Sequence, residues 1–206
     1  MRSLMPSKRL PKEQVADNVI AAARELVIEG GGEALQARAI AKRAGVSVGT
    51  VYNAYGDLVG LQLALHGQTL AKFQVAFEEV DVTKTDAPMT ERLAAFANVY
   101  VMFVSENQKL WEALVAFNAS RDLSELPSWY LDRVRYLLGY LDKELVKLEA
   151  LKEDEELRQT VSRALYGAVN GIMNAGLVGK LDNLLQDTML KQMRVIIDAL
   201  VEKYDR

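Results

Sequence analysis

The sequence contains no cysteine and a single histidine, His66. Without thiols there is neither a disulfide framework nor a thiolate metal site, and one imidazole leaves little scope for metal binding or histidine-based acid–base chemistry. Only four prolines interrupt 206 residues, and the alternation of β-branched residues that marks strands is scarce. No apolar run approaches the roughly 18 residues of a membrane span, and the amino terminus has no uncharged hydrophobic stretch of the signal type. These absences predict a cytoplasmic location and imply no metal or other cofactor. They also argue against an enzyme, because catalysis would rest on carboxylates or tyrosines alone and no paired constellation of them stands out.

Half of the residues are hydrophobic and 26% are charged, the balance of an ordinary globular protein. The net charge of −3 is unevenly distributed. Residues 1–56 carry eight Lys/Arg against five acidic residues, a surplus of +3, which leaves −6 for the remainder. A cationic amino-terminal segment on an acidic protein is the electrostatic pattern expected of a polyanion-binding end.

Apolar residues recur at helical spacing almost throughout, so the chain is expected to be all-α with about nine helices. Lys12 to Glu29 places Val15, Val19, Ala22, Ala23, Leu26 and Val27 on one face, and Gly30-Gly31-Gly32 stops that helix. Two short helices follow, near 36–43 and 47–54. Asp57 is placed to cap a longer helix to about Glu79, with Leu61, Leu65, Leu70, Phe73 and Phe77 on its buried side. The stretch 81–88 reads as a loop. Further helices are expected near 90–106, 108–119, 128–148, 155–177 and 184–204.

The segment from Ala37 to Tyr55 meets the steric requirements of a helix-turn-helix. Small or apolar residues, Ile40, Ala41, Ala44, Val46, Val51 and Ala54, stand where two steeply crossing helices would touch. Gly45 supplies the positive φ of the turn, and Ser47 can cap the second helix. That leaves Val48, Gly49, Thr50, Tyr52 and Asn53 on the outer, amino-terminal side, the part of such a helix that enters a major groove. Asn53 suits an adenine edge, Thr50 and Val48 suit a thymine methyl, and Gly49 allows close backbone approach. Tyr52 is expected to hold a phosphate with its hydroxyl, and Arg38 and Lys42, with Lys8, Arg9 and Lys12 of the basic arm, to add electrostatic attraction. A solvated tail is an equally good reading of the arm.

The run Ile40-Ala-Lys-Arg-Ala-Gly-Val-Ser-Val-Gly-Thr-Val-Tyr52, followed by Tyr55 and a long helix, resembles the TetR family of repressors. The resemblance covers roughly residues 12–65. It implies a three-helix DNA-binding domain over residues 1–56 and a helical ligand-binding and dimerisation domain over 57–206. It also implies a double-stranded DNA operator, a small-molecule effector and a homodimer as partners, with residues 47–53 reading bases. Gln36 stands where the family commonly has a Ser or Thr cap, and Leu58 where it usually carries a phosphate-touching lysine.

Aromatic residues gather in the middle of the chain. Phe96, Tyr100, Phe103, Trp111, Phe117, Trp129, Tyr136 and Met173 are candidates to line a pocket for a small apolar or aromatic molecule, with Asn98, Asn170 and Asn174 as polar contacts. Plain core packing is the competing reading for each. Leu190, Met193, Ile197, Leu200 and Tyr204 recur at spacings of 3 and 4 on the last helix, and Ala164, Ala168, Gly171 and Ala175 make a small-residue face on the one before. Together they suggest a four-helix bundle between two subunits. His66 is expected to be a surface or packing residue. The sequence thus predicts a ligand-responsive, DNA-binding repressor released from its operator by an effector. A helical carrier or sequestering protein with an inactive helix-turn-helix is the alternative.

Overall fold

The computed structural model describes residues 11–80, 86–177 and 186–205. They form nine α-helices and no strand: α1 (Lys12–Gly30), α2 (Ala37–Ala44), α3 (Val48–Tyr55), α4 (Leu58–Glu79), α5 (Met89–Glu106), α6 (Gln108–Ala119), α7 (Ser128–Leu145), α8 (Glu155–Leu177) and α9 (Gln186–Tyr204). The all-α expectation holds. Of the expected loop at 81–88 only residues 86–88 are described, and the expected onset of the last helix at 184 lies outside the described residues.

One boundary needs correction. The helix expected over 128–148 ends at Leu145, and a short 3₁₀ turn follows at Glu149–Leu151. Leu145, Leu148 and Leu151 are all fully buried. Leu148 takes extended backbone, φ −78° and ψ 129°, so the chain leaves the helical path between Leu145 and the 3₁₀ turn.

The chain divides into two compact units, Met1–Thr69 with Lys109–Arg121, and Leu70–Gln108 with Asp122–Arg206. In the first, α1 buries Val19, Ala22, Ala23 and Val27, while Val15 and Leu26 are half-buried. Gly31 adopts φ 72° and its N–H donates to Val27 O, ending the helix in a conformation that glycine tolerates best. Helices α1, α2 and α3 close around Val19, Ile20, Ile40 and Val51, joined by Leu61 and Leu65 of α4 and Leu110 and Ala113 of α6. Arg43 ties α2 to α1 by forking onto both carboxylate oxygens of Glu29, at 2.6 and 2.8 Å, with Glu25 at 3.2 Å.

The junction between α3 and α4 is set by backbone contact. Gly60 packs so closely beneath the carbonyl oxygen of Tyr55 that a Cβ there would collide with it. Asp57 accepts the Gly60 N–H at 2.7 Å, so it caps α4 as its spacing suggested.

His66 is a packing residue, only 1% exposed, with its ring 5.0 Å from that of Phe117. Neither ring nitrogen has a hydrogen-bond partner among the described residues. Burial pushes its pKa down to about 4 from the ordinary 6.5.

The second unit is built on α5, α7, α8 and α9, with Leu70, Phe73 and Phe77 of α4 buried in it. Helix α9 packs on α5 and α8, and α7 on α8. Arg92 of α5 and Glu144 of α7 form a buried ion pair, the guanidinium donating from Nε at 2.8 Å, and Lys147 also reaches Glu144 at 2.9 Å. This pair was not legible as an apolar pattern. Buried charges are tolerated when paired, and Glu144 is compensated by Arg92 with Lys147 beside it.

Two outcomes are expected. Gly45→Ala costs about 1 kcal/mol in thermal unfolding, the ordinary penalty for a side chain in left-handed backbone, whereas Gly60→Ala costs more, because the obstacle is main chain that cannot rotate away. Second, the proton that His66 resists in the folded state is bound freely by the unfolded chain, so its stability contribution is full above pH about 6.5. It is lost progressively as pH falls toward about 4, with a total on the order of 3 kcal/mol. Urea titrations at neutral and acidic pH should find that slope in the natural chain and a shallower one in His66→Leu.

Candidate functional site

Helix α2 ends at Ala44, and Gly45 takes φ 67° and ψ 31°, the left-handed turn its position in the sequence required. Ser47 then caps α3, its hydroxyl oxygen accepting from Thr50 N–H at 3.1 Å. Gln36 makes no side-chain cap for α2, in keeping with its poor capping chemistry. Ile40, Ala41 and Val51 are buried and Ala44 and Val46 half-buried. Ala54, expected in the same crossing, is exposed instead. The inward position belongs to the next residue, Tyr55, whose hydroxyl donates to Ala16 O at 2.9 Å and staples α3 to α1.

The outer side of α3 presents Ser47, Gly49, Tyr52 and Asn53 to solvent, with Tyr52 42% exposed. A Cβ at Gly49 would meet only the Ser47 hydroxyl, so the glycine leaves an open approach to the backbone. Two expected contacts sit differently. Val48 is half-buried, because it packs against the core of its unit. Thr50 is half-buried and its hydroxyl lies 2.9 Å from that of Ser47, so its polar atom is already engaged.

Lys12, Arg38 and Lys42 are exposed and form no ion pair with a described residue. Arg43 is committed to Glu29 and Glu25, whose hydrogen bonds hold its pKa above the usual arginine value. Lys8 and Arg9 of the expected arm lie outside the described residues. Leu58, standing where a lysine was expected, packs against the core of its unit.

The second unit holds a narrow apolar cavity of about 50 Å³. Phe73 and Phe77 of α4, Leu93, Phe96, Ala97 and Tyr100 of α5, Leu141 of α7, Leu165, Tyr166 and Val169 of α8 and Ile197 of α9 surround it. Phe77 and Phe96 stack at 5.3 Å and 17°. The Tyr100 hydroxyl donates to Asn170 Oδ1 at 2.8 Å, and burial raises the Tyr166 phenol.

Of the residues singled out for a pocket, Phe96 and Tyr100 line this cavity, Asn170 joins it through Tyr100, and Phe103 packs on Phe73 at 4.9 Å. The others are not brought together with it. Trp111 and Phe117 belong to α6 in the first unit, where they are buried. Trp129 is 47% exposed, and Asn98 is exposed rather than on an apolar face. Tyr136 is bound to Glu78, which pushes its phenol up to about 12. Met173 is fully buried outside the lining, and Asn174 is half-buried. Of the wall residues, Phe73 and Phe77 were visible on the buried side of the long helix. Leu141, Leu165, Val169 and Ile197 carried no signal beyond helical spacing.

The candidate pairing faces are also redistributed. Met193 and Ile197 are already buried within the protomer, since a 3–4 spacing serves intrachain packing as well as a coiled-coil seam. Leu190, Leu200 and Tyr204 are half-buried, and the solvent side of α9 carries Val195, 70% exposed. On α8, Ala164, Gly167 and Gly171 are exposed, with Ala168 and Ala175 half-buried, and a Cβ at either glycine would meet nothing.

Residues 19–63 match the family model described as bacterial regulatory proteins, tetR family. No curated protein matches the sequence. Solved structures share the fold at low identity. A transcriptional regulator from Rhodococcus sp. Rha1 superposes with TM-score 0.74 at 16% identity, over 93% of this chain and 98% of that one. The fatty acid degradation regulator FadR from Bacillus halodurans gives 0.67 at 19%, over 93% and 96%. The transcriptional regulator FadR from Bacillus subtilis, in complex with stearoyl-CoA, gives 0.68 at 20%, over 90% and 97%. The helix-turn-helix thus lies inside the segment that matches the tetR-family model, and the all-helical fold is one that these solved regulators share.

Proposed function

We propose that the chain is a homodimeric, DNA-binding transcriptional repressor, released from its operator when a small molecule with an apolar body enters the cavity of the second unit. The observation that carries this reading is the outer side of α3, where Tyr52, Asn53 and Gly49 stand exposed on a capped helix held by a buried core. Such a helix places side chains on base edges, while Arg38, Lys42 and Lys12, which form no ion pair with a described residue, add phosphate attraction. Residues 1–56 act as the DNA-binding domain and 57–206 as the domain for effector and dimer.

The effector class rests on the cavity lining. Its walls are aromatic and aliphatic, and a polar pair at its edge, Tyr100 with Asn170, can reorient toward a ligand. A cavity of about 50 Å³ is well below the few hundred Å³ of typical ligand sites, so Phe73, Phe77 and Phe96 part on binding. The stearoyl-CoA carried by the Bacillus subtilis FadR favours an acyl chain as one such molecule. Helix α4 supplies Leu61 and Leu65 to one core and Phe73 and Phe77 to the cavity wall, so a ligand that prefers one placement of α4 shifts the DNA-binding state by that preference. Dimerisation uses the exposed small residues of α8 with Leu190, Leu200, Tyr204 and Val195 of α9.

The test begins with genomic fragments selected by the purified protein. Binding should fall steeply with salt, as phosphate contacts require. Tyr52→Phe and Asn53→Ala should each weaken binding by about tenfold, the loss expected for one good contact, while the melting temperature stays put. Unchanged affinity in both variants would remove α3 as the reading helix, and the absence of any salt-dependent DNA binding would favour a carrier protein. For the dimer, Gly171→Leu should shift the sedimentation coefficient toward that of a monomer; an unaltered coefficient removes α8 from the interface.

A further inference from the structure

Among the described residues there is a recess roomier than the aromatic cavity. A recess of about 400 Å³ opens in the first unit, walled by Leu35, Gln62, His66, Ala113, Phe117 and Arg121. That volume is on the scale of small-molecule sites, whereas the second unit's cavity is several times smaller. Its chemistry also differs, since polar groups stand among the apolar walls.

Two of those groups lack partners. His66 is almost fully buried, yet neither Nδ1 nor Nε2 has a hydrogen bond within the described chain. Buried polar atoms are nearly always satisfied, and an imidazole with both nitrogens idle is costly. Arg121 is the second. Its guanidinium lies 4.6 Å over the Phe117 ring, its Nε is buried without an acceptor, and it forms no ion pair with a described residue. The acidic residues at the recess are Glu33, which is exposed, and Glu112, which meets Lys109 at 3.8 Å. Neither forms an ion pair with Arg121. A stacked guanidinium with a free fork is a carboxylate receptor, and a neutral imidazole offers one donor and one acceptor beside it.

We infer that this recess is a second binding site, specific for a small hydroxy-substituted organic acid. The ligand carboxylate sits on Arg121, its hydroxyl meets His66, and its short apolar body rests on Leu35, Ala113 and Ala116. Because Leu35 belongs to the core that holds Ile40 and Val51, occupancy is felt directly in the helix-turn-helix unit. The inference stands apart from the regulator reading, since binding is measured on the protein alone.

His66 is the chain's only histidine, so its imidazole resonances report on the recess without assignment ambiguity. The probes are 4-hydroxybenzoate and 4-hydroxyphenylacetate, titrated into the full chain at neutral pH. At least one should shift the His66 ring signals saturably. The matching carboxamide should bind at least about tenfold more weakly, and Arg121→Gln should lose affinity for the acid by a similar factor while Arg121→Lys retains part of it. If Arg121→Gln also lowers the melting temperature, the comparison of acid with amide on the natural chain decides the matter. No saturable His66 shift with either acid at millimolar concentration overturns the inference, as does equal binding of acid and amide.

Discussion

The placement of α3 depends on a contact between main-chain atoms. Gly60 lies directly beneath the carbonyl of Tyr55, so the end of α3 and the start of α4 approach more closely than any side chain would permit. Around that point the other restraints fall into place: the Asp57 cap on Gly60 N–H, the Tyr55 hydroxyl on Ala16 O, and the Ser47 cap at the far end of α3. Each is an ordinary hydrogen bond worth about 1 kcal/mol. Together with the buried core of Ile40 and Val51 they leave a helix of eight residues almost no freedom to tilt. A reading surface needs that rigidity, because base contacts are lost when side chains are displaced by an ångström.

The two units contain recesses of opposite chemistry. One is small, dry and aromatic, and opening it means separating stacked rings such as Phe77 and Phe96. The other is several times larger and presents a guanidinium and an imidazole that lack hydrogen-bonding partners for Arg121 Nε and both His66 nitrogens among the described residues. In the first, affinity comes from apolar burial and is limited by the work of repacking a close-packed core. In the second, it comes from satisfying polar groups that the fold itself leaves wanting. Helix α4 contributes to the walls of both, through His66 on the one side and Phe73 and Phe77 on the other.

The helical framework was legible in the sequence because its determinants are local. Helix stops follow from the backbone preferences of Gly31 and Gly45, and caps from Ser47 and Asp57, each acting within three residues. The 3.6-residue period located the buried faces of α1 and α4 correctly. Where the period was asked to do more, it was ambiguous. The stripe through Met193 and Ile197 looks the same whether it meets another subunit or the protomer's own helices, and here it meets the latter. The aromatics of α6 shared the spacing of those on α5 yet belong to a different unit.

By itself, then, the sequence determined the all-α class, the helix-turn-helix and the outward side of α3 at Gly49, Tyr52 and Asn53, since these follow from backbone sterics and periodicity along one short segment. Only the tertiary structure decided which rings share a cavity, why Gly60 has no side chain, that Arg92 and Glu144 neutralise each other, and that His66 and Arg121 meet beside Phe117. Arg92 and Glu144 are 52 positions apart and His66 and Arg121 are 55, and even the short-range contact of Gly60 with Tyr55 follows from how α3 meets α4. No local propensity records such meetings; the packing of whole helices sets them.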